Sequence, residues 1–151
     1  MATDPVVHPP LSGSTFGMSI LPDPRNVRVV RLVGSGIALL AGFDPELIDD
    51  FKIALDEMAS TLLELADSSP LDFTFGIDEQ NGVDVRATAS VAPGAAVDES
   101  RFAFTERVLN VVAESHDLTI EGNLAEFTMS VPSAVVLDPE TEIEVLEVDD
   151  A

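Results

Sequence analysis

The sequence predicts a two-layer α+β sandwich, in which helices cover the apolar face of a mostly antiparallel sheet. Three observations lead to this prediction. A long amphipathic helix spans 44–67, and two pairs of alternating segments, each joined by a short turn, lie on either side of a further helical segment at 101–116. The predicted order is strand, helix, helix, hairpin, helix, hairpin. With 151 residues, the chain is long enough for one domain with a single core.

The long central helix is the most clearly marked element. Asp44 can cap the free N–H groups of its first turn, and Pro45 suits the first helical position because its missing N–H would have no partner there. Apolar residues recur at steps of three and four and form one predicted buried stripe. The stripe consists of Leu47, Phe51, Ala54, Met58, Leu62 and Leu65. Beside it runs an edge of Asp50, Glu57 and Thr61, where a ligand could touch the helix without unpacking it.

A strand at 15–21 and a helix from Asp23-Pro24 to Gly42 are predicted to precede the central helix. The predicted buried stripe of this first helix consists of Val30, Val33, Ile37 and Leu40. Its opposite face carries the steps-of-three series Arg25, Arg28 and Arg31. These arginines either form a contact surface or are solvated and paired with the many acids. Because Gly34-Ser35-Gly36 lies inside the helical pattern, it does not predict a phosphate-binding loop.

The second half of the chain predicts two hairpins and one helix. Asn81-Gly82 supplies the turn between alternating segments at 73–77 and 83–91, and a second turn at 121–123 joins the last two strands. Asp98 or Ser100 can cap the helix at 101–116. Its predicted inward residues are Phe104, Val108, Val111 and Val112.

Composition argues against several classes of function. The 28 acidic and 7 basic residues give a formal net charge of −21, which disfavours binding to nucleic acid or to an anionic membrane because phosphate contacts need Lys and Arg. With no cysteine and two histidines, thiolate or imidazole metal sites are not expected. The chain shows neither a membrane-length apolar run nor a secretory leader, so a cytoplasmic protein is expected.

Three regions are predicted along the chain. Residues 1–13 read as a mobile N-terminal arm, and residues 14–132 as the folded domain. Residues 133–151 hold seven acids and no base. This acidic tail either adds an edge strand or remains a solvated appendage.

The order of elements, together with the segments VRVVRLVGSGIALLAGF and IDDFKIALDEMASTLLELA, resembles the anti-sigma-factor serine kinases of the RsbW type. These proteins are a bacterial branch of the histidine-kinase-like ATPase family. The resemblance covers about residues 15–132 and implies the Bergerat fold, a mixed, mostly antiparallel sheet with about three helices on one face. In that family the second helix carries a glutamate that acts as a base and, four residues later, an asparagine that helps to hold magnesium on ATP. By the resemblance, Glu57 occupies the base position.

The chain departs from the family at the nucleotide site. Thr61 stands in place of the asparagine, and its short hydroxyl is a poorer magnesium ligand than an amide carbonyl. The segment corresponding to the adenine site, 90–96, contains no acid and a single glycine, Gly94. The segment corresponding to the phosphate site, 98–102, carries two carboxylates, which would repel polyphosphate. These departures predict a fold of this type that has lost the ability to bind ATP and magnesium.

The leading functional prediction is therefore a non-catalytic regulator in bacterial sigma-factor or partner-switching signalling. The implied partners are a sigma factor, an anti-anti-sigma protein or a second copy of the chain. The predicted contact residues are Arg25, Arg28 and Arg31, together with the edge of the central helix. A scaffold role unrelated to transcription is also compatible with the fold.

The alternative prediction is a divergent ATP-dependent serine kinase. In this alternative Glu57 remains the base, and Asp50 or Asp56 helps Thr61 to hold magnesium. Arg101 takes over phosphate binding. The residues that would contact the nucleotide are Asp50, Thr61, Gly94 and Arg101.

Overall fold

A computed structural model describes residues 13–133 as a five-stranded sheet packed against three helices. The strands are β1 (Thr15–Ile20), β2 (Leu71–Ile77), β3 (Val83–Ser90), β4 (Ser115–Glu121) and β5 (Leu124–Val131). The helices are α1 (Val27–Ala41), α2 (Pro45–Leu65) and α3 (Glu99–Val112), and a single 3-10 turn, Pro24–Asn26, precedes α1. The predicted α+β class and element order are confirmed. Apart from Gly13 and Ser133, the predicted arm and acidic tail lie outside the described residues.

The sheet has the order β1-β2-β3-β5-β4, and all four neighbouring pairs are antiparallel. Two consecutive helices return the chain to the end at which β1 finished, so β2 runs antiparallel to β1. A single helix, α3, leaves β4 parallel to β3, but β5 inserts between them. The mixed sheet implied by the resemblance is therefore not found within the described residues.

The helices lie side by side, with α2 in the middle. Helix α2 contacts β3 and β5 at the centre of the sheet, α1 lies over β2 and β3, and α3 lies beside β4. The largest fully buried side chains come from both layers and include Phe51, Phe73, Phe75 and Phe127. Burying each such ring contributes roughly 1.5–3 kcal/mol relative to an exposed one. The core therefore fixes α2 against the sheet and leaves α1 and α3 as its flanks.

Helix α2 begins as the sequence predicts. The Asp44 carboxylate accepts a hydrogen bond from the backbone N–H of Leu47 at 2.8 Å, and Pro45 is the first helical residue. The helix ends at Leu65, because Ala66 is extended and forms a bridge to Val91. The predicted end at residue 67 is thus two residues too late.

Helix α1 packs on α2 through small residues, and this corrects part of its predicted stripe. Val30 and Ile37 are buried as predicted, whereas Leu40 is exposed. Gly34 and Ala38 are buried instead. A Cβ at Gly34 would overlap the Cδ1 methyl of Leu55. Because the two helices approach this closely, small residues form the contact and larger ones are displaced outward.

The β2–β3 turn forms as predicted at Asn81-Gly82. Asn81 has a positive φ of 64°, which asparagine tolerates better than most residues. The Asp78 carboxylate accepts hydrogen bonds from the backbone N–H groups of Gln80 at 2.9 Å and Gly82 at 2.8 Å. A Cβ at Gly82 would lie 2.9 Å from the Val131 carbonyl oxygen, so the turn can pack against the end of β5 only with glycine there.

Helix α3 buries a different face from the one that the sequence predicts. Phe104 is 55% exposed and Val111 is 82% exposed. The buried residues of this helix are Thr105 and Leu109, while Val112 is half-buried. The helix also ends at Val112 rather than near residue 116, because Ala113 is extended and β4 begins two residues later.

Asp98 caps α3, and its pKa makes a testable contribution to acid stability. Its carboxylate accepts hydrogen bonds from the Ser100 hydroxyl and from the backbone N–H groups of Arg101 and Ser100, and these bonds lower its pKa below 3.8. Because the folded-state pKa lies below the unfolded one, this contribution is present above the unfolded pKa and is lost as pH falls through the folded-state pKa.

The Asp98→Asn variant should therefore lose stability less steeply than the unchanged chain on acidification from about pH 5 to about pH 2. Asparagine still caps the helix but carries no titrating group. Urea unfolding at several pH values measures the difference. An unchanged slope would show that the capping carboxylate does not contribute to acid unfolding.

Candidate functional site

The edge of α2 predicted to face a ligand is partly buried. Thr61 is only 4% exposed, and its hydroxyl donates a hydrogen bond to the backbone carbonyl of Glu57 at 2.8 Å. This bond lies within the helix and holds the hydroxyl against the helix backbone, and the buried side chain leaves little of its oxygen open to a cation. Thr61 therefore does not offer the site that a magnesium-binding asparagine would.

Glu57 is held by α3. Its carboxylate oxygen Oε1 accepts a hydrogen bond from the Thr105 hydroxyl at 2.9 Å, and Thr105 is only 1% exposed. Helix α3 thus covers the α2 edge at the position where the resemblance places the catalytic base. Thr105 was not predicted, because a single threonine between Phe104 and Glu106 does not stand out in the apolar periodicity of the helix.

The start of α3 does not form an anion site. Arg101 Nη1 lies 2.6 Å from Glu64 Oε1 on α2, so the predicted phosphate ligand is already paired. The Asp98 carboxylate takes the N–H groups of Ser100 and Arg101 that a phosphate would otherwise bind. The beginning of this helix is therefore closed by the protein's own carboxylates.

Gly94 has a structural role in the loop that follows β3. Its φ is 78°, and the backbone N–H of Ala95 donates to the carbonyl of Ala92 at 3.0 Å. Pro93 followed by a glycine with positive φ is the pattern of a type II turn. The turn explains this glycine without a nucleotide.

Asp50 lies apart from these residues. It lines a cavity of about 290 Å³ between the first turns of α2 and the end of α3, together with Glu114, Leu47 and Pro132. The seven residues from Asp50 to Glu57 correspond to about 10 Å along a helix axis. Two carboxylates make this cavity unsuitable for a polyphosphate.

The predicted magnesium ligands are not brought together. Asp56 lies on the α1 side of α2, where its Oδ1 is 3.0 Å from Nε of Arg31. Both atoms are shielded from solvent, and their geometry is that of an ion pair rather than of an aligned hydrogen bond. Burial raises the pKa of the Asp56 carboxyl, although the charge of Arg31 opposes this. Within residues 13–133, no group of three or more His, Cys, Asp or Glu side chains could hold a metal ion.

Residues on this edge therefore do not fit Mg-ATP. The Thr61 hydroxyl, the Glu57 carboxylate and the Arg101 guanidinium are each bonded within the fold. The structure brings Glu57 and Thr61 together and places Asp50 at a separate cavity.

The three predicted partner-binding arginines have separate environments. Arg25 belongs to the 3-10 turn and pairs with Asp23 at 2.7 Å, and its side chain lowers the pKa of that carboxyl to about 2. Arg31 pairs with Asp56, as described above. Arg28 is exposed and has no ion pair within the described residues. Only Arg28 and Arg31 line the same cavity, of about 400 Å³, together with Leu32, Ser35 and Lys52.

Beside this cavity, α1 exposes an apolar surface that sequence analysis did not identify. We call it the α1 outer face, and it consists of Val29, Leu32, Leu39 and Leu40 around Gly36. Leu32 is 73% exposed, and a Cβ at Gly36 would meet no atom within 4 Å. Positions separated by three, four and seven residues lie on one side of a helix, so these side chains form a strip along one side of α1. The sequence did contain a signal for this surface, because α1 has apolar residues on the side opposite its buried stripe as well as within the stripe.

Comparison with known proteins does not assign the chain to a family. No protein-family model matches it, and no curated protein matches it significantly. None of the helices within residues 13–133 has both the length and the apolar character required to cross a membrane.

Proposed function

We propose that the protein is a cytoplasmic regulator that acts by binding another protein through the α1 outer face. The observation that carries this proposal is the strip of exposed leucine and valine side chains on a well-packed helix. Exposed apolar residues that form one continuous strip are typical of interaction sites, whereas scattered ones are not. Arg28 and Lys52 flank the strip and supply polar contacts at its rim.

The partner class follows from the resemblance to the anti-sigma-factor kinases. A sigma factor or an anti-anti-sigma protein is the proposed partner, and a second copy of the chain is the other candidate. The formal charge of −21 favours a partner with a basic surface, because opposite charges accelerate association. Binding alone is proposed as the activity, since Glu57, Thr61 and Arg101 are each bonded within the fold.

Affinity measurements with a matched pair of variants test this proposal. The Leu32→Glu variant should bind the sigma factor or anti-anti-sigma protein of the source organism at least tenfold more weakly. The Val111→Glu variant is the control, because Val111 is also an exposed apolar residue on an outer helix. It should bind as the unchanged chain does. Equal binding by all three proteins, or no binding by the unchanged chain to either class of partner, would contradict the proposal.

Calorimetric titration with Mg-ATP separates the kinase alternative from this proposal. We expect no binding at micromolar concentrations. Micromolar binding together with phosphorylation of a partner protein would instead support the divergent kinase, with Glu57 as its base.

A further inference from the structure

The acidic tail contains a segment whose chemistry matches the α1 outer face. Residues 142–148 read EIEVLEV, in which apolar and acidic side chains are interleaved. The α1 outer face offers the complementary pair of features. Its apolar strip borders the cavity lined by Arg28, Arg31 and Lys52. A segment with both apolar and acidic side chains could therefore pack on the apolar strip and pair with the cationic side chains beside it.

We propose that segment 142–148 of the same chain docks on the α1 outer face, with its apolar side chains on Leu32 and Leu39 and its carboxylates toward Arg28. Docking would cover leucine side chains that α1 otherwise exposes to water.

The point at which the tail leaves the domain permits this contact. The Ser133 hydroxyl donates to the carbonyl of Gln80 at 2.8 Å, and Pro132 lies beside Leu47 in the first turns of α2. Helix α1 ends at Ala41, immediately before α2 begins, so Leu39 lies at the same end of the molecule. The tail therefore starts near one end of the α1 outer face.

The tail is also long enough. Eight residues, 134–141, can span up to about 26 Å when extended, whereas neighbouring helices lie about 8–10 Å apart. The whole of α1, with 15 residues, is about 22 Å long. The linker can therefore cross from α2 to α1, and the seven residues that follow can run along most of the strip.

Charge favours the tail over a second copy of the chain. The cavity beside the strip has three cationic side chains, and it remains positive after Asp49 and Asp56, which pair with Lys52 and Arg31, are counted. Segment 142–148 brings three acids and no base to it. Two copies of a chain with a formal charge of −21 repel one another, whereas a covalently attached segment is present at a high effective concentration.

Docking would make the tail a competitor of the protein partner. This consequence rests on the proposed function, but the docking itself needs no partner. Removing the apolar side chains of the segment should therefore increase affinity for the partner, because the α1 outer face is then free.

Paramagnetic broadening of NMR signals in the full chain tests the docking. Because the chain has no cysteine, Asp149→Cys accepts a single nitroxide label just beyond the segment. The amide signals of Val29, Leu32 and Leu39 should broaden, and those of α3 should not. The same labelled chain with Ile143→Ser and Val145→Ser is the control, and its α1 signals should remain sharp.

Three outcomes would overturn the proposal. Broadening confined to β1 or β4 would show that the tail adds an edge strand. If the α1 signals broaden only through a nitroxide on another chain, as seen when an unlabelled chain is observed in a mixture with the labelled one, the occupant is a second copy. Unchanged signals throughout would show that the tail does not dock. If docking is observed but Leu32→Glu leaves partner affinity unchanged, the proposed function fails and the docking stands.

Discussion

Replacing Gly34 with leucine should lower the free energy of unfolding by about 3 kcal/mol, because the new side chain has no space between α1 and α2. A Cβ at this position would overlap Cδ1 of Leu55 and would lie 3.4 Å from Cε2 of Phe51. Both of these side chains are fully buried in the core. The helices must therefore separate or the core must rearrange, and either change leaves poorer packing.

Gly36→Leu is the matched control for this prediction. Gly36 is in the same helix, and a Cβ there would meet no atom within 4 Å. Leucine has the higher helix propensity, so this variant should gain about 0.5–1 kcal/mol. Urea unfolding followed by circular dichroism measures both values. Equal effects of the two substitutions would show that the close approach of the helices does not limit residue size at Gly34.

Thr105→Val should lower the free energy of unfolding by about 2 kcal/mol, because it removes a hydrogen bond to a half-buried carboxylate. Valine has nearly the shape of threonine, so the packing of α3 is retained. The Glu57 oxygen that accepts the Thr105 hydroxyl at 2.9 Å loses its donor. Thermal or urea unfolding measures the loss.

Two further variants test whether loss of the hydrogen bond causes the loss of stability. Thr105→Ser keeps the hydroxyl and should retain most of the stability. The double variant Thr105→Val with Glu57→Ala completes a thermodynamic cycle, in which the two losses should be less than additive by about 1 kcal/mol. Strict additivity would show that the bond between α2 and α3 does not stabilise the fold.

The sequence was sufficient to predict the elements of this fold and their order along the chain. Caps and turns mark the boundaries locally, as Asp44 does for α2, Asp98 for α3 and Asn81-Gly82 for the first hairpin. These signals depend on backbone chemistry within a few residues. They are therefore visible without knowledge of the tertiary contacts.

Sequence could not show which apolar face of each flanking helix is buried. Helices α1 and α3 carry apolar residues on more than one side. A prediction from periodicity therefore assigns the largest apolar residues to the buried face, whereas the close contact with α2 requires smaller ones. In α3 the contact with α2 is made by Thr105 and Leu109, while the bulkier Phe104 is exposed. In α1 the close contact requires Gly34, and Leu40 is displaced outward.

The candidate site was predicted only in part for the same reason. Sequence placed Glu57 and Thr61 on one edge of α2, but that edge becomes a helix contact once α3 packs along it. Ion pairs between helices also engage Arg31 and Arg101. For Arg31 the sequence left a partner contact and pairing with an acid as alternatives, and it offered Arg101 as a phosphate ligand. Such pairings join residues far apart in the chain and have no local signature.

The position of β1 at one edge of the sheet affects how the protein folds. Its residues pair with positions in β2 that are 51 to 61 residues later, whereas a two-residue turn joins β4 and β5. Closing a long loop costs entropy before its contacts form, so the hairpins should assemble early and β1 should join last. The same edge should open first in the native state, and its opening would leave β2 able to pair with another chain.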